Sequence, residues 1–139
     1  MLKVLAERMS ASPALAVTMF LNVERPKGDT TSDAELLKGF ADRFCKMEWP
    51  GERLPAVFYD PRAVEPMERG KKRASLHAKC IVVDDARALV TSANFTEAAQ
   101  ERNIEAGVLV ESGSFATAVR TQFDVLVAGE YLTRVPGLG

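Results

Sequence analysis

The sequence is poor in the residues that carry most recognisable chemistry. It has one histidine, one tryptophan and two cysteines. Cys45 and Cys80 stand far apart and form no Cys-x-x-Cys pair. That spacing argues against a thiolate zinc site and for reduced, partly buried thiols. Neither sign of charge dominates: 18 Lys and Arg face 19 Asp and Glu, for a net charge of −1. The sequence pI is about 5.9, so the globally basic character of a general nucleic-acid binder is missing. The longest apolar run, residues 14–21, is broken by Thr18 and is far too short to span a bilayer. Residues 1–10 are interrupted twice by charge and lack the apolar segment of a signal peptide. A cytoplasmic location with no integral membrane association is therefore expected. The chain has no internal repeat, no low-complexity stretch and no cluster of carboxylates of the kind that holds magnesium. No metal and no cofactor is expected.

What remains is ordinary in composition. Of 139 residues, 47% are apolar and 27% charged, which excludes disorder, collagen and coiled coil as descriptions of the whole chain. The length suits one domain over residues 1–139, with its core at about 14–128. Leu2, Leu5 and Met9 recur at helical spacing near the start. Residues 15–23 form an apolar run that reads as a buried strand. Ser32-x-x-Glu35 has the form of a capping box, and Leu36, Leu37, Phe40, Phe44 and Met47 follow on one face. A helix over 33–48 is expected, stopped by Pro50-Gly51. Strands follow at 54–59, 75–83, 88–94 and 103–110, with a turn at 84–87 and a short helix at 95–102. A final helix starts at Ser112-Gly113-Ser114, carries Phe115, Ala118, Val119, Phe123 and Leu126 on one stripe, and ends near Gly129. Residues 131–139 read as loop. Strands mixed with helices that can cover both faces give a three-layer α/β/α domain with a mixed sheet.

The single histidine lies in an unusual setting: His77-x-Lys79, four residues, Asp84, six residues, then Thr91-Ser92-x-Asn94. A lone histidine is usually structural, so the spacing has to carry the argument. Side chains alternate along a strand, so His77 and Lys79 share a face, as do Ser92 and Asn94. If the turn pairs Val83 with Ala88, Lys79 stands opposite Ser92 and His77 opposite Asn94. A slip of one residue would break this arrangement. Glu105, on the next strand, could join the patch. The set suits phosphoester chemistry. Lys79 and Asn94 can bind phosphate oxygens, His77 can act as nucleophile or general acid–base, and Glu105 can accept the other ring N–H. Each residue also has a bland role. Asp84 suits a turn, Ser92 a buried backbone group, Asn94 a helix cap, and Glu105 an ion pair with Arg102. Arg69, Lys71, Lys72 and Arg73 form a local basic run shortly before His77; such runs are usually solvated loops, but Lys71, Lys72 and Arg73 are candidates for substrate binding.

This pattern resembles the HKD motif of the phospholipase D superfamily, and the stretch from Asn94 to Glu105 resembles the segment that follows it there. The tight resemblance covers about residues 75–110. The motif often has Gly before the Ser, where this chain has Thr91. The resemblance implies a phospholipase D/nuclease-like half-domain. It also implies a two-step displacement: one histidine forms a phosphohistidine, a second protonates the leaving oxygen, and water releases the product. By position, His77 is the nucleophile or acid, and Lys79 and Asn94 hold phosphate oxygens. Ser92 supports that network, Glu105 orients His77, and Asp84 is structural. One motif cannot supply both histidines. The resemblance therefore implies a homodimer with a site across its two-fold axis, or a second HKD half-domain in a longer protein.

Three functions share the motif. A metal-independent nuclease is favoured by the basic run near His77. A non-catalytic or conditionally active subunit of a bacterial anti-phage complex is the second; the phospholipase-D-like component of DISARM-type systems is one such resemblance. A phospholipase D-type lipid hydrolase is the third, and it would need an amphipathic membrane-facing helix that the sequence does not clearly contain.

Overall fold

A computed structural model describes residues 1–66, 73–94 and 103–139. The helix expected at 95–102, and Arg69, Lys71 and Lys72, lie outside the described residues. The fold is mixed α/β, as expected, but its strands divide between two three-stranded sheets. The chain forms two compact units, one of Met1–Leu76 with Tyr131–Gly139 and one of His77–Glu130.

The first unit holds helix α1 (Leu2–Ala11), strand β1 (Thr18–Phe20), helix α2 (Asp33–Arg43) and strand β2 (Ala56–Tyr59). β2 is the central strand of a mixed sheet. It runs parallel to β1, with Met19 beside Val57, and antiparallel to a short strand at Thr133–Arg134. α2 begins as its sequence dictates: Ser32 Oγ accepts the Glu35 N–H at 3.2 Å, and Glu35 accepts the Ser32 N–H at 3.0 Å. The apolar stripe holds through Leu37, Phe40 and Phe44, and then departs from the expectation. Residues Phe44–Glu48 form a π-helical turn, closed by a Trp49 N–H to Phe44 C=O bond of 2.8 Å. The wider turn swings Met47 outward, 80% exposed, and brings Trp49 inward. Phe44 stacks between Phe40 and Trp49, with ring centroids 6.1 and 6.0 Å away.

The tail corrects a second expectation. It is not a free loop: Leu132, Val135 and Leu138 are buried, and the Val135 N–H donates to Val57 C=O at 2.8 Å. A two-residue strand is too short to leave a periodic signal, and the Pro136-Gly137 pair that follows reads as loop.

The second unit is a meander of three antiparallel strands, β3 (Cys80–Val83), β4 (Arg87–Thr91) and β5 (Gly107–Glu111), followed by helix α3 (Gly113–Ala128). The short strand of the tail is β6 in chain order. Ser112 caps α3 by accepting the Phe115 N–H. α3 packs on all three strands. Ala116 is buried and Val119, Phe123, Leu126 and Val127 are half-buried, while Phe115 and Ala118 of the expected stripe are exposed. Arg120 ties the helix to the β3–β4 turn through Asp85 at 2.5 Å.

Candidate active site

The β3–β4 turn sets the register on which the site depends. Asp84 and Asp85 both have φ of +50°, and the Ala86 N–H donates to Val83 C=O at 3.0 Å. Aspartate tolerates this left-handed region better than most side chains. Two such residues in succession close the hairpin one residue earlier than expected. Val83 therefore pairs with Arg87 rather than Ala88, and Cys80 pairs with Val90. An Arg87–Glu111 ion pair matches the neighbouring ladder.

That one-residue shift places Lys79 beside Thr91, not Ser92, and the Thr91 N–H donates to Lys79 C=O at 3.0 Å. Strict alternation would now send Ser92 and Asn94 to the other face from His77 and Lys79. Alternation stops there, however. β4 ends at Thr91 and Ser92 lies in a bend. The motif residues therefore gather in a different way. Lys79 is the residue before β3, Ser92 the residue after β4, and Glu105 stands two residues before β5. In an antiparallel meander these positions lie at the same end of the sheet. Asp84 sits in the turn at the opposite end.

Two pairs of side chains organise this end. Lys79 Nζ lies 3.0 Å from both ring nitrogens of His77 and donates to the His77 carbonyl at 3.0 Å. Nζ stands equally far from both nitrogens, so the contact places a cation against the imidazole without selecting a tautomer. Across the strands, Ser92 Oγ donates to Glu105 Oε2 at 2.5 Å, and Asn103 Nδ2 donates to Glu105 Oε1 at 3.1 Å. The Ser92 and Asn103 hydrogen bonds, with a further contribution from the Lys79 charge, hold the Glu105 carboxyl below the usual carboxylate range. Glu105 is thus linked to Ser92 and Asn103, and His77 to Lys79. The Lys79 charge connects the two pairs. Asn94 is exposed at the end of the same bend.

Of the basic run, Arg73 alone lies among the described residues. Arg73 is half-buried in the first unit, where it donates to the Arg25 carbonyl, and its Nε is buried with no hydrogen-bond partner. No group of three or more His, Cys, Asp or Glu that could hold a metal occurs among the described residues. No described helix is long and apolar enough to cross a membrane.

Sequence reasoning missed three residues here. Asn103 supports Glu105 from two positions away. Thr91 Oγ1 donates to the Ala106 carbonyl and accepts the Ala93 N–H, both at 3.1 Å. Gly107 stands opposite Thr91. A glycine at the edge of the apolar run 106–110 was the available signal, since glycine in a strand marks a close approach.

The family described as cardiolipin synthase, PLD-like domain matches residues 53–127, just over half of the chain and the whole of the motif. No curated protein and no solved structure matches.

Proposed function

The chain belongs to the phospholipase D superfamily, and from that premise we propose that it is a metal-independent phosphodiesterase acting on nucleic acid. The observation that carries the reading is the His77–Lys79 and Ser92–Glu105 pairs at one end of the β3-β4-β5 sheet, with Asn94 two residues beyond Ser92. A ring nitrogen of His77 attacks phosphorus, and the bond to the leaving oxygen breaks. A second histidine supplies the proton that this oxygen takes. Water then attacks the phosphohistidine, gives its proton to the second histidine, and frees His77. Lys79 and Asn94 stabilise the charge that develops on the phosphate oxygens. The ionised Glu105, held by Ser92 and Asn103, lies near the Lys79 charge and offsets the positive charge that His77 gains as it attacks.

The sequence has a single histidine, so the second must come from another copy of the chain or another half-domain. Nucleic acid is favoured by Arg69, Lys71 and Lys72 in the stretch just before His77. The name of the matching family, cardiolipin synthase, favours a lipid phosphodiester as the second reading.

The test is hydrolysis of bis-p-nitrophenyl phosphate in EDTA by the purified chain, beside plasmid DNA and cardiolipin-containing vesicles. Solution mass is measured in parallel. The expected result is turnover by a species of about twice 15.2 kDa, with DNA cleaved and lipid unchanged. His77→Ala should lower turnover by roughly 10³-fold or more and leave the unfolding midpoint unchanged, because His77 is exposed. Undiminished turnover in His77→Ala would exclude this site. Lipid turnover without DNA cleavage would select the second reading. No turnover by the isolated chain would favour a conditionally active subunit of a larger complex.

A further inference from the structure

The bend that carries Ser92 and Asn94 is laced to the start of β5 through Ser92 itself and through Thr91, at the position where the motif often has Gly. Thr91 Oγ1 donates to the Ala106 carbonyl at 3.1 Å and accepts the Ala93 N–H at 3.1 Å. The Ser92 N–H reaches the same carbonyl at 2.9 Å. The Ala106 N–H returns to Ser92 Oγ at 3.1 Å, and Ser92 Oγ donates onward to Glu105. The hydroxyl of Thr91 therefore sets where the chain turns after β4. That turn sets the direction of Ser92 and Asn94.

The opposite strand makes room for this. A Cβ placed on Gly107 would lie 3.0 Å from Thr91 Cβ and 3.1 Å from Thr91 Oγ1. A side chain there would crowd both the Cβ and the hydroxyl of Thr91, so that Thr91 or the strand would have to shift by a few tenths of an ångström. Threonine is also stiff at χ1, so its hydroxyl is held in that direction better than a serine hydroxyl would be. The two residues form a matched pair across the ladder, a branched residue facing an empty position.

We propose that Thr91, seated against Gly107, is a positioning residue that aims Ser92 and Asn94 at the phosphate. Its effect on turnover rests on the phosphodiesterase reading above; its effect on the bend does not. Thr91 touches no reacting atom in this scheme and acts through the bend.

The test compares Thr91→Val, which keeps the shape and removes the hydroxyl, with Thr91→Ser, which restores it. Amide exchange at Ala93 and the Asn94 carboxamide resonances are read by NMR, and bis-p-nitrophenyl phosphate turnover is read alongside. Thr91→Val should speed Ala93 exchange by about 10-fold and shift the Asn94 resonances. It should lower kcat by about 10-fold with KM unchanged. Thr91→Ser should recover most of each. Ala93 exchange and Asn94 resonances unmoved in Thr91→Val overturn the proposal, whatever the turnover. A displaced bend with undiminished kcat also overturns it. Absence of turnover in the unmodified chain overturns the phosphodiesterase reading instead, and the two NMR readouts then decide the positioning claim alone.

Discussion

The two units divide the work of burial unequally. The first encloses Phe44, Val57, Val64, Val135 and Leu138, each at or below 1% exposure. In the second, only Ala88 and Ala116 are buried among the described residues. The second unit does not lack apolar side chains. Its register puts Cys80, Val82, Ala88, Val90, Val108 and Val110 on one face of the sheet and Ile81, Val83, Leu89 and Leu109 on the other. Antiparallel sheets with one solvated face normally alternate apolar and polar residues. This one carries apolar side chains on both faces, with Arg87, Thr91 and Glu111 on the second, yet Val108 and Leu109 are 63% and 61% exposed within the single chain. Stability is concentrated in one unit, and the motif residues all lie in the other. A sheet of this composition also fits the proposal that a second copy or half-domain completes the protein.

The sharpest way to break that comparison is to cut into each unit. Phe44→Ala removes a ring stacked between Phe40 and Trp49 and should destabilise the chain by about 3–5 kcal/mol. Val108→Ala removes two methyl groups from a largely exposed position and should cost under about 0.5 kcal/mol. Denaturant midpoints measure both. A Val108→Ala effect as large as that of Phe44→Ala would mean that the second sheet is covered in the working protein.

Much of the first unit was legible because its signals are local. The Ser32–Glu35 capping box and the stripe through Leu37, Phe40 and Phe44 fix α2 without tertiary information. The π turn that rotates Met47 out was not legible, because stacking of Trp49 on Phe44 decides it from outside the helix. In the second unit, motif spacing singles out His77, Lys79, Ser92, Asn94 and Glu105 as candidates. The hairpin register that was to unite them was off by one, because paired left-handed aspartates leave no periodic trace. The residues still meet at one end of the sheet because each lies just beyond a strand end, where alternation no longer governs. Thr91 stands in the motif only as a departure from Gly, and Asn103 and Gly107 carry no signal of their own, because the roles of all three are contacts with backbone or with one another's space.

Acid should separate the units again, by a smaller margin. Asp60 in the first unit is buried and is held below the usual carboxylate range, chiefly by its hydrogen bond to Arg62. Glu105 in the second is held below that range by Ser92, but through hydrogen bonds that are open to solvent. A carboxyl whose folded value is depressed contributes stability above its unfolded value, about 4. That contribution is lost as pH falls through the lower, folded value. Asp60→Asn should therefore flatten the acid limb of the unfolding midpoint between about pH 5 and pH 2. Glu105→Gln should leave that limb nearly unchanged, because solvent screens its partners. Unfolding curves across this range give the answer; equal flattening by the two variants would show that the second unit's carboxylate is sheltered as well.

The thiols test the comparison where it should reverse. Cys45 belongs to the well-buried unit but sits on the outward side of its π turn, exposed. Cys80 belongs to the shallow unit but opens β3 on the Ala88 face, where burial pushes its thiol above the usual range. The thiolate is the reactive form, so burial slows Cys80 twice, through access and through ionisation. Near neutral pH, a disulfide reagent such as DTNB should modify Cys45 in a fast phase and Cys80 in a slower one, with Cys45→Ser removing only the fast phase. A single fast phase for both thiols would show that the sheet is open on the Ala88 face. The shallow unit would then lack even the local shelter that its one buried strand residue implies. Loss of the slow phase alone on dilution would instead trace that shelter to a second copy of the chain, because dissociation depends on concentration and burial within one chain does not.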